Sequence, residues 1–93
     1  MDANEVGKEL FGRPCRLRLA LWIVRQDRVR FFQSEAPREV ILQSAAAEEL
    51  GRLVRLGMLK EERPDESRRV YYVPTDSPLW KIIEAAADVI EAD

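Results

Sequence analysis

Apolar side chains recur at three- and four-residue spacing through most of this chain, broken by short alternating stretches, and the two periods predict helices and strands respectively. Asn4 is placed to cap a short helix that ends near Leu10, and Gly12 breaks it. Pro14 suits the first turn of a second helix, because its missing N–H would have no partner there in any case. That helix carries Leu17, Ala20, Leu21 and Val24, with Arg16, Arg18 and Arg25 outward. The alternation Arg16-Leu17-Arg18-Leu19 also fits a strand. The unbroken apolar run that follows, Leu19 to Val24, has the length of a buried helix and favours the helical reading.

Val29 to Phe32 is β-branched and aromatic and predicts a brief extended segment. Ser34 then reads as the cap of a short helix ending around Val40, with Pro37 inside its first turn. A stronger helix starts at Gln43 or Ser44 and runs to Leu56. Its inward stripe is Ala46 or Ala47, Leu50, Leu53 and Val54. Gly57 is suited to end it in a left-handed conformation, with Met58 packing back on the last turn. Leu59 to Glu62 and Val70 to Val73 read as two strands of a hairpin joined by the polar loop 63–69. Ser77-Pro78 opens a last helix that reaches Ala92, with Leu79, Ile82, Ile83, Ala86, Val89 and Ile90 on one broad face.

Composition narrows the function. With 93 residues the chain is a single domain, 1–93, and its core is modest. It is 46% hydrophobic and 34% charged, too apolar for a disordered chain. Absence of histidine and a single cysteine, Cys15, remove disulfides, Cys/His zinc sites and the common nucleophile–base pairs. The expectation is therefore no enzyme, no metal and no cofactor. No uncharged run approaches the ~20 residues that cross a bilayer, and the acidic start lacks the features of a secretory signal. A cytoplasmic protein without membrane contact is expected.

Charge is unevenly spread. Arg13 to Arg30 holds six arginines against Asp27 alone, while residues 31–93 carry eight cations and thirteen anions. Twelve of the fifteen cations are arginine, which forms forked contacts with phosphate or carboxylate. Arg13 and Arg16 could clamp a phosphate. Arg25, Arg28 and Arg30 could instead pair with Glu35, Glu39 or the acidic last helix. Cys15 is either a packing residue or a redox thiol, and Trp22 and Trp80 either core residues or cavity walls.

The order helix, short strand, helix, tight turn, helix, hairpin resembles that of a winged helix-turn-helix. Gly12-Arg13-Pro14-Cys15-Arg16-Leu17-Arg18-Leu19-Ala20 and Phe32-Gln33-Ser34-Glu35-Ala36 carry part of the likeness. The clearest part runs from Gln43 to Leu59, with its Leu-Val-Arg-Leu-Gly-Met-Leu ending, followed by Arg69-Val70-Tyr71-Tyr72. In these segments the chain resembles small winged-helix transcriptional regulators of the ArsR/MarR/PadR type. The resemblance implies a mainly α fold with a small β-hairpin (α+β), a winged-helix core over 10–76 and a dimerisation helix over 77–92. It implies a positioning helix Ser34–Val40, a recognition helix 43–56 in the major groove and a wing over about 63–70.

On that reading, double-stranded DNA is the partner and a homodimer the assembly. Gln43, Ser44, Ala45 and Arg52 would make groove contacts, with Gln43 suited to adenine and Ser44 to a phosphate. Arg68, Arg69 and Arg16 would hold phosphates, while Leu79, Trp80, Ile83, Ala86 and Ile90 would join two copies. Glu48 and Glu49 pull the other way, because two carboxylates beside a phosphate backbone repel it. The alternative they suggest is a winged-helix module that binds a protein partner, not DNA, through the acidic face of helix 43–56.

Overall fold

The computed structural model describes residues 3–26, 29–64 and 68–91. Helix α1 (Ala3–Phe11) leads into α2 (Pro14–Arg25) through Gly12, whose φ of +84° makes the reversal. Arg13 is extended, and Pro14 occupies the first position of α2 as its fixed φ favours. The two helices lie close at Gly7, where a Cβ would fall 2.9 Å from the carbonyl oxygen of Pro14. The strand reading of Arg16–Leu19 is excluded, since these residues lie within α2.

Strand β1 (Phe31–Phe32), α3 (Gln43–Arg55), β2 (Leu59–Glu62), β3 (Tyr71–Pro74) and α4 (Trp80–Glu91) complete the domain. The fold is a small α+β domain of four helices with a three-stranded antiparallel sheet, order β1-β3-β2. Phe31 pairs with Tyr72 and Phe32 with Tyr71, while Leu59 to Glu62 run against Pro74 to Tyr71. The brief segment at Phe31 is thus a third strand on the free side of β3. Alternation sends Phe31 and Tyr72 into the core and leaves Phe32 and Tyr71 half-buried on the other face. Among the described residues no helix is long and apolar enough to cross a membrane.

The expected helix Ser34–Val40 does not form. A single 3₁₀ turn, Gln33–Glu35, is closed by the Glu35 carboxylate, which accepts the Phe32 N–H at 3.1 Å. Ala36 is then extended (ψ 122°), because the ring of Pro37 disfavours the helical region in the residue before it. The Pro37 carbonyl accepts the N–H groups of Val40 and Ile41, making a second separate turn. The segment still packs inward through Ala36 and Ile41, both buried.

Helix α3 stops as its sequence requires. Gly57 has φ +78°, its N–H bonds the Val54 carbonyl at 3.0 Å, and the Met58 N–H bonds the Leu53 carbonyl at 2.9 Å. This pair of bonds satisfies carbonyls that the helix leaves open. Beyond it the Met58 carbonyl accepts both the Thr75 N–H and the Trp80 indole N–H, at 3.0 and 2.9 Å. One buried oxygen therefore ties the end of α3 to the start of α4.

The core gathers Leu17, Leu19, Leu21 and Ile23 of α2, Phe31, Ala46 and Leu50 of α3, and Met58, Leu59 and Tyr72. Trp22 meets Phe31 edge-on at 5.2 Å, and Cys15 is half-buried against the same cluster. From α4 come Trp80, Ile83 and Ala86. These three were expected at a dimer contact, but they fill the protomer's own core, and Leu79 and Ile90 are half-buried against it. The apolar positions that α4 turns to solvent are Ile82, Ala85 and Val89. The end expected at Ala92 lies outside the described residues.

Candidate nucleic-acid interface

A groove of 330 Å³ runs between the start of α3, the 3₁₀ turn and the tip end of β3, lined by Phe32, Gln33, Ser34, Gln43, Arg69 and Val70. The two glutamines hold its floor together. Gln33 donates to the backbone and side-chain oxygens of Gln43 at 3.3 and 3.2 Å, and the Gln43 amide donates to the Gln33 carbonyl at 3.2 Å. Gln43 and Ser44 are exposed, and Ala45 is half-buried. No side chain caps the first turn of α3, where Leu42 occupies the capping position. The Leu42 carbonyl instead accepts the Ala45 and Ala46 N–H groups, at 2.9 and 3.0 Å.

On the hairpin side the outward face of the sheet alternates cations and rings. The Arg69 guanidinium lies 4.3 Å over Phe32, Phe32 meets Tyr71 edge-on at 5.8 Å, and Arg30 lies 4.2 Å over Tyr71. Each guanidinium is oriented by the face of a ring. Arg30 also pairs with Glu62 at 3.7 Å. Arg68 is exposed beside the hairpin tip, whose residues 65–67 lie outside the described residues.

Two expected contacts are placed elsewhere. The Arg16 Nε donates to both carboxylate oxygens of Glu49, at 3.1 and 3.3 Å, and its Nη1 donates to the Phe11 carbonyl at 2.8 Å. Arg13 reaches the same carboxylate at 3.2 Å and Glu48 at 3.9 Å. Arg52 approaches Glu49 at 4.0 Å from one helical turn away. Arg16 is therefore a link between α2 and α3, set back from the groove. Arg52, expected to face the DNA groove, approaches Glu49 instead.

Glu49 is 3% exposed, so the acidic face expected on α3 is reduced to Glu48, which is 61% exposed. A signal for this was present. Positions 46, 49, 50 and 53 form one inward stripe at three- and four-residue spacing, and Glu49 lies on it. Its two arginine partners on the preceding segment are a matter of tertiary contact. The other expected pairings are resolved in part: Arg25 meets Glu91 of α4, as the acidic last helix suggested, and Arg28 lies outside the described residues. Among the described residues no group of three or more acidic or thiol ligands could hold a metal ion.

No protein-family model, curated protein or solved structure matches this chain.

Proposed function

We propose that the chain is a winged helix-turn-helix DNA-binding transcriptional regulator that works as a homodimer, with α3 as recognition helix and the β2–β3 hairpin as wing. The observation that carries the reading is the groove itself. Gln43 at the start of α3 opens onto the same hollow as Gln33, Ser34 and Arg69, so hydrogen-bonding groups and a cation converge on one side of the domain. The element order and the strand order β1-β3-β2 support it. So does the enclosure of Glu49 by Arg13 and Arg16, which removes one carboxylate from the face that would meet phosphate.

In this mechanism Gln43 and Ser44 read and hold the major groove, and Arg68 and Arg69 hold phosphates. Two copies joined through α4 set the recognition helices about one DNA turn, roughly 34 Å, apart. The test is a titration of the full chain against genomic duplex fragments between about 50 and 200 mM salt, where phosphate-driven binding changes steeply. Micromolar binding with a clear salt slope is the expected result. Replacing Arg68 and Arg69 together by alanine should weaken binding to all sequences and flatten the slope by about 1 to 2. An unchanged slope would remove the wing assignment, and no binding at the lowest salt would move the function to a protein partner.

A further inference from the structure

A part-enclosed cavity of 240 Å³ lies behind α3, on the side away from the groove. Its walls are aliphatic: Leu17, Leu19 and Ala20 from α2, Leu53 from α3, Met58 and Ile83. Phe11 is the one ring at its edge, and exposed Leu56 stands at its mouth. The polar end is formed by Arg16, Glu49 and Arg52. An apolar chamber with a few convergent charges has the character of a small-molecule site.

The charges define the head group. The Glu49 carboxylate already accepts three hydrogen bonds from Arg13 and Arg16 and is almost fully enclosed, so it has little left for an incoming ammonium. Arg16 uses Nη1 on the Phe11 carbonyl. Arg52 is 43% exposed, and its ion-pair contact among the described residues is the long 4.0 Å approach to Glu49. It lines the cavity with guanidinium hydrogens to spare. Two arginines against one glutamate leave the lining one positive charge in excess. An anion is the complement, and a carboxylate matches the guanidinium fork.

Size and wall chemistry define the tail. A dry cavity of about 150 Å³ accommodates benzene, so this one takes roughly ten non-hydrogen atoms. Leucine, isoleucine and methionine walls suit a flexible saturated chain, and Met58 can adjust its rotamer to one. We propose that the cavity binds a medium-chain aliphatic carboxylate of about eight carbons, its head on Arg52 and its tail between α2 and α3. Because Glu49, Arg52 and Leu53 all belong to α3, occupancy acts directly on the helix that borders the groove.

The site is tested without DNA, so the result does not depend on the function proposed above. The full-length chain, labelled at its methyl groups, is titrated with sodium octanoate, octanol and octylamine and followed by NMR. Octanoate should shift the methyl signals of Leu53, Met58 and Ile83. Arg52→Gln should weaken octanoate binding about ten- to a hundredfold, as expected for loss of a charge-assisted hydrogen bond, and leave octanol binding unchanged. Arg55→Gln, at an exposed arginine outside the cavity, should leave both unchanged.

Absence of shifts at any octanoate concentration below its micelle point would overturn the proposal. Equal binding of octylamine, or equal effects of the two arginine variants, would overturn the carboxylate assignment. If the methyl signals of Leu53 and Met58, which lie off the α4 dimer stripe, move with protein concentration alone, the occupant is a second copy of the chain and the proposal falls.

Discussion

Arg16 on α2 and Glu49 on α3 are joined by a single guanidinium nitrogen that reaches both carboxylate oxygens, at 3.1 and 3.3 Å, in a setting where the glutamate is almost fully enclosed. Arg13 completes the contact at 3.2 Å. The bond crosses 33 residues of chain and fixes how α3 leans on α2.

Breaking this link is therefore expected to cost more than surface pairs do. Glu49→Ala leaves the Arg16 guanidinium facing an apolar boundary and should destabilise the domain by about 2–4 kcal/mol; Arg13 and Arg52 are half-exposed and re-solvate, which keeps it below the full range for buried pairs. Glu48→Ala should change stability by less than about 0.5 kcal/mol, since that side chain stands in solvent. Urea unfolding of the two variants checks the contrast, and equal midpoints would show that the Arg13–Arg16–Glu49 cluster contributes nothing.

Two glycines of α3 and its end should respond to alanine with opposite signs. Gly57 has φ +78° and open space where a Cβ would stand, so Gly57→Ala meets only the backbone cost of a left-handed L-residue, about 1 kcal/mol. Gly51 lies inside the helix, and a Cβ there would touch only the guanidinium end of the Arg55 side chain, at 3.4 Å. Gly51→Ala should stabilise by about 0.5–1 kcal/mol through helix propensity. Thermal melts of both variants read the result, and a common sign would refute the assignment of roles.

The proposed homodimer makes a prediction specific to one stripe of α4. Ile82 and Val89 are exposed and Ile83 is buried, although Ile82 and Ile83 are neighbours. Ile82→Asp combined with Val89→Asp should leave the far-ultraviolet spectrum intact and convert a dimer to a monomer by sedimentation. Ile83→Asp should unfold the chain, because it places a carboxylate in the core. A wild-type monomer at micromolar concentration would end the dimer proposal.

Alkaline pH should lower stability through Tyr72. Its phenol is held above the ordinary value of 10.0, first by burial and then by the Glu61 carboxylate, with Arg63 opposing. The folded state thus favours the neutral phenol, while in the unfolded chain it ionises from about pH 10. The contribution is complete below that pH and is lost as pH rises toward the folded-state value. Urea unfolding between about pH 9 and pH 11 should show a decline that is shallower in Tyr72→Phe. An identical decline in the variant would assign it to other groups.

Much of the architecture was legible because it is set locally. The Pro14 start of α2, the Gly57 stop of α3 and the hairpin after it depend on residues within one or two turns of each other. The strand boundary moved by only one residue, from Val70–Val73 to Tyr71–Pro74. The 34–40 segment was misread because a proline three residues after a capping side chain fits a helix start. In the folded chain Glu35 accepts the Phe32 N–H, and the extended residue before Pro37 splits the segment.

The candidate groove was legible in half. Gln43, Ser44 and Arg69 came from the sequence, whereas Gln33 as the partner of Gln43 and the Arg69–Phe32 stack did not.

By itself, then, the sequence determined most of the helices and strands and where they stop, and that the chain has no histidine and one cysteine. Only the tertiary structure decided that Glu49 is enclosed, that Arg16 is spent on it, and that Ile83 faces inward while Ile82 faces out. Backbone preference and hydrophobic period act over a few residues, so they survive in the sequence alone. The choice of an ion partner 33 residues away, or of which of two neighbouring isoleucines on α4 faces the core, depends on which surfaces the chain brings together.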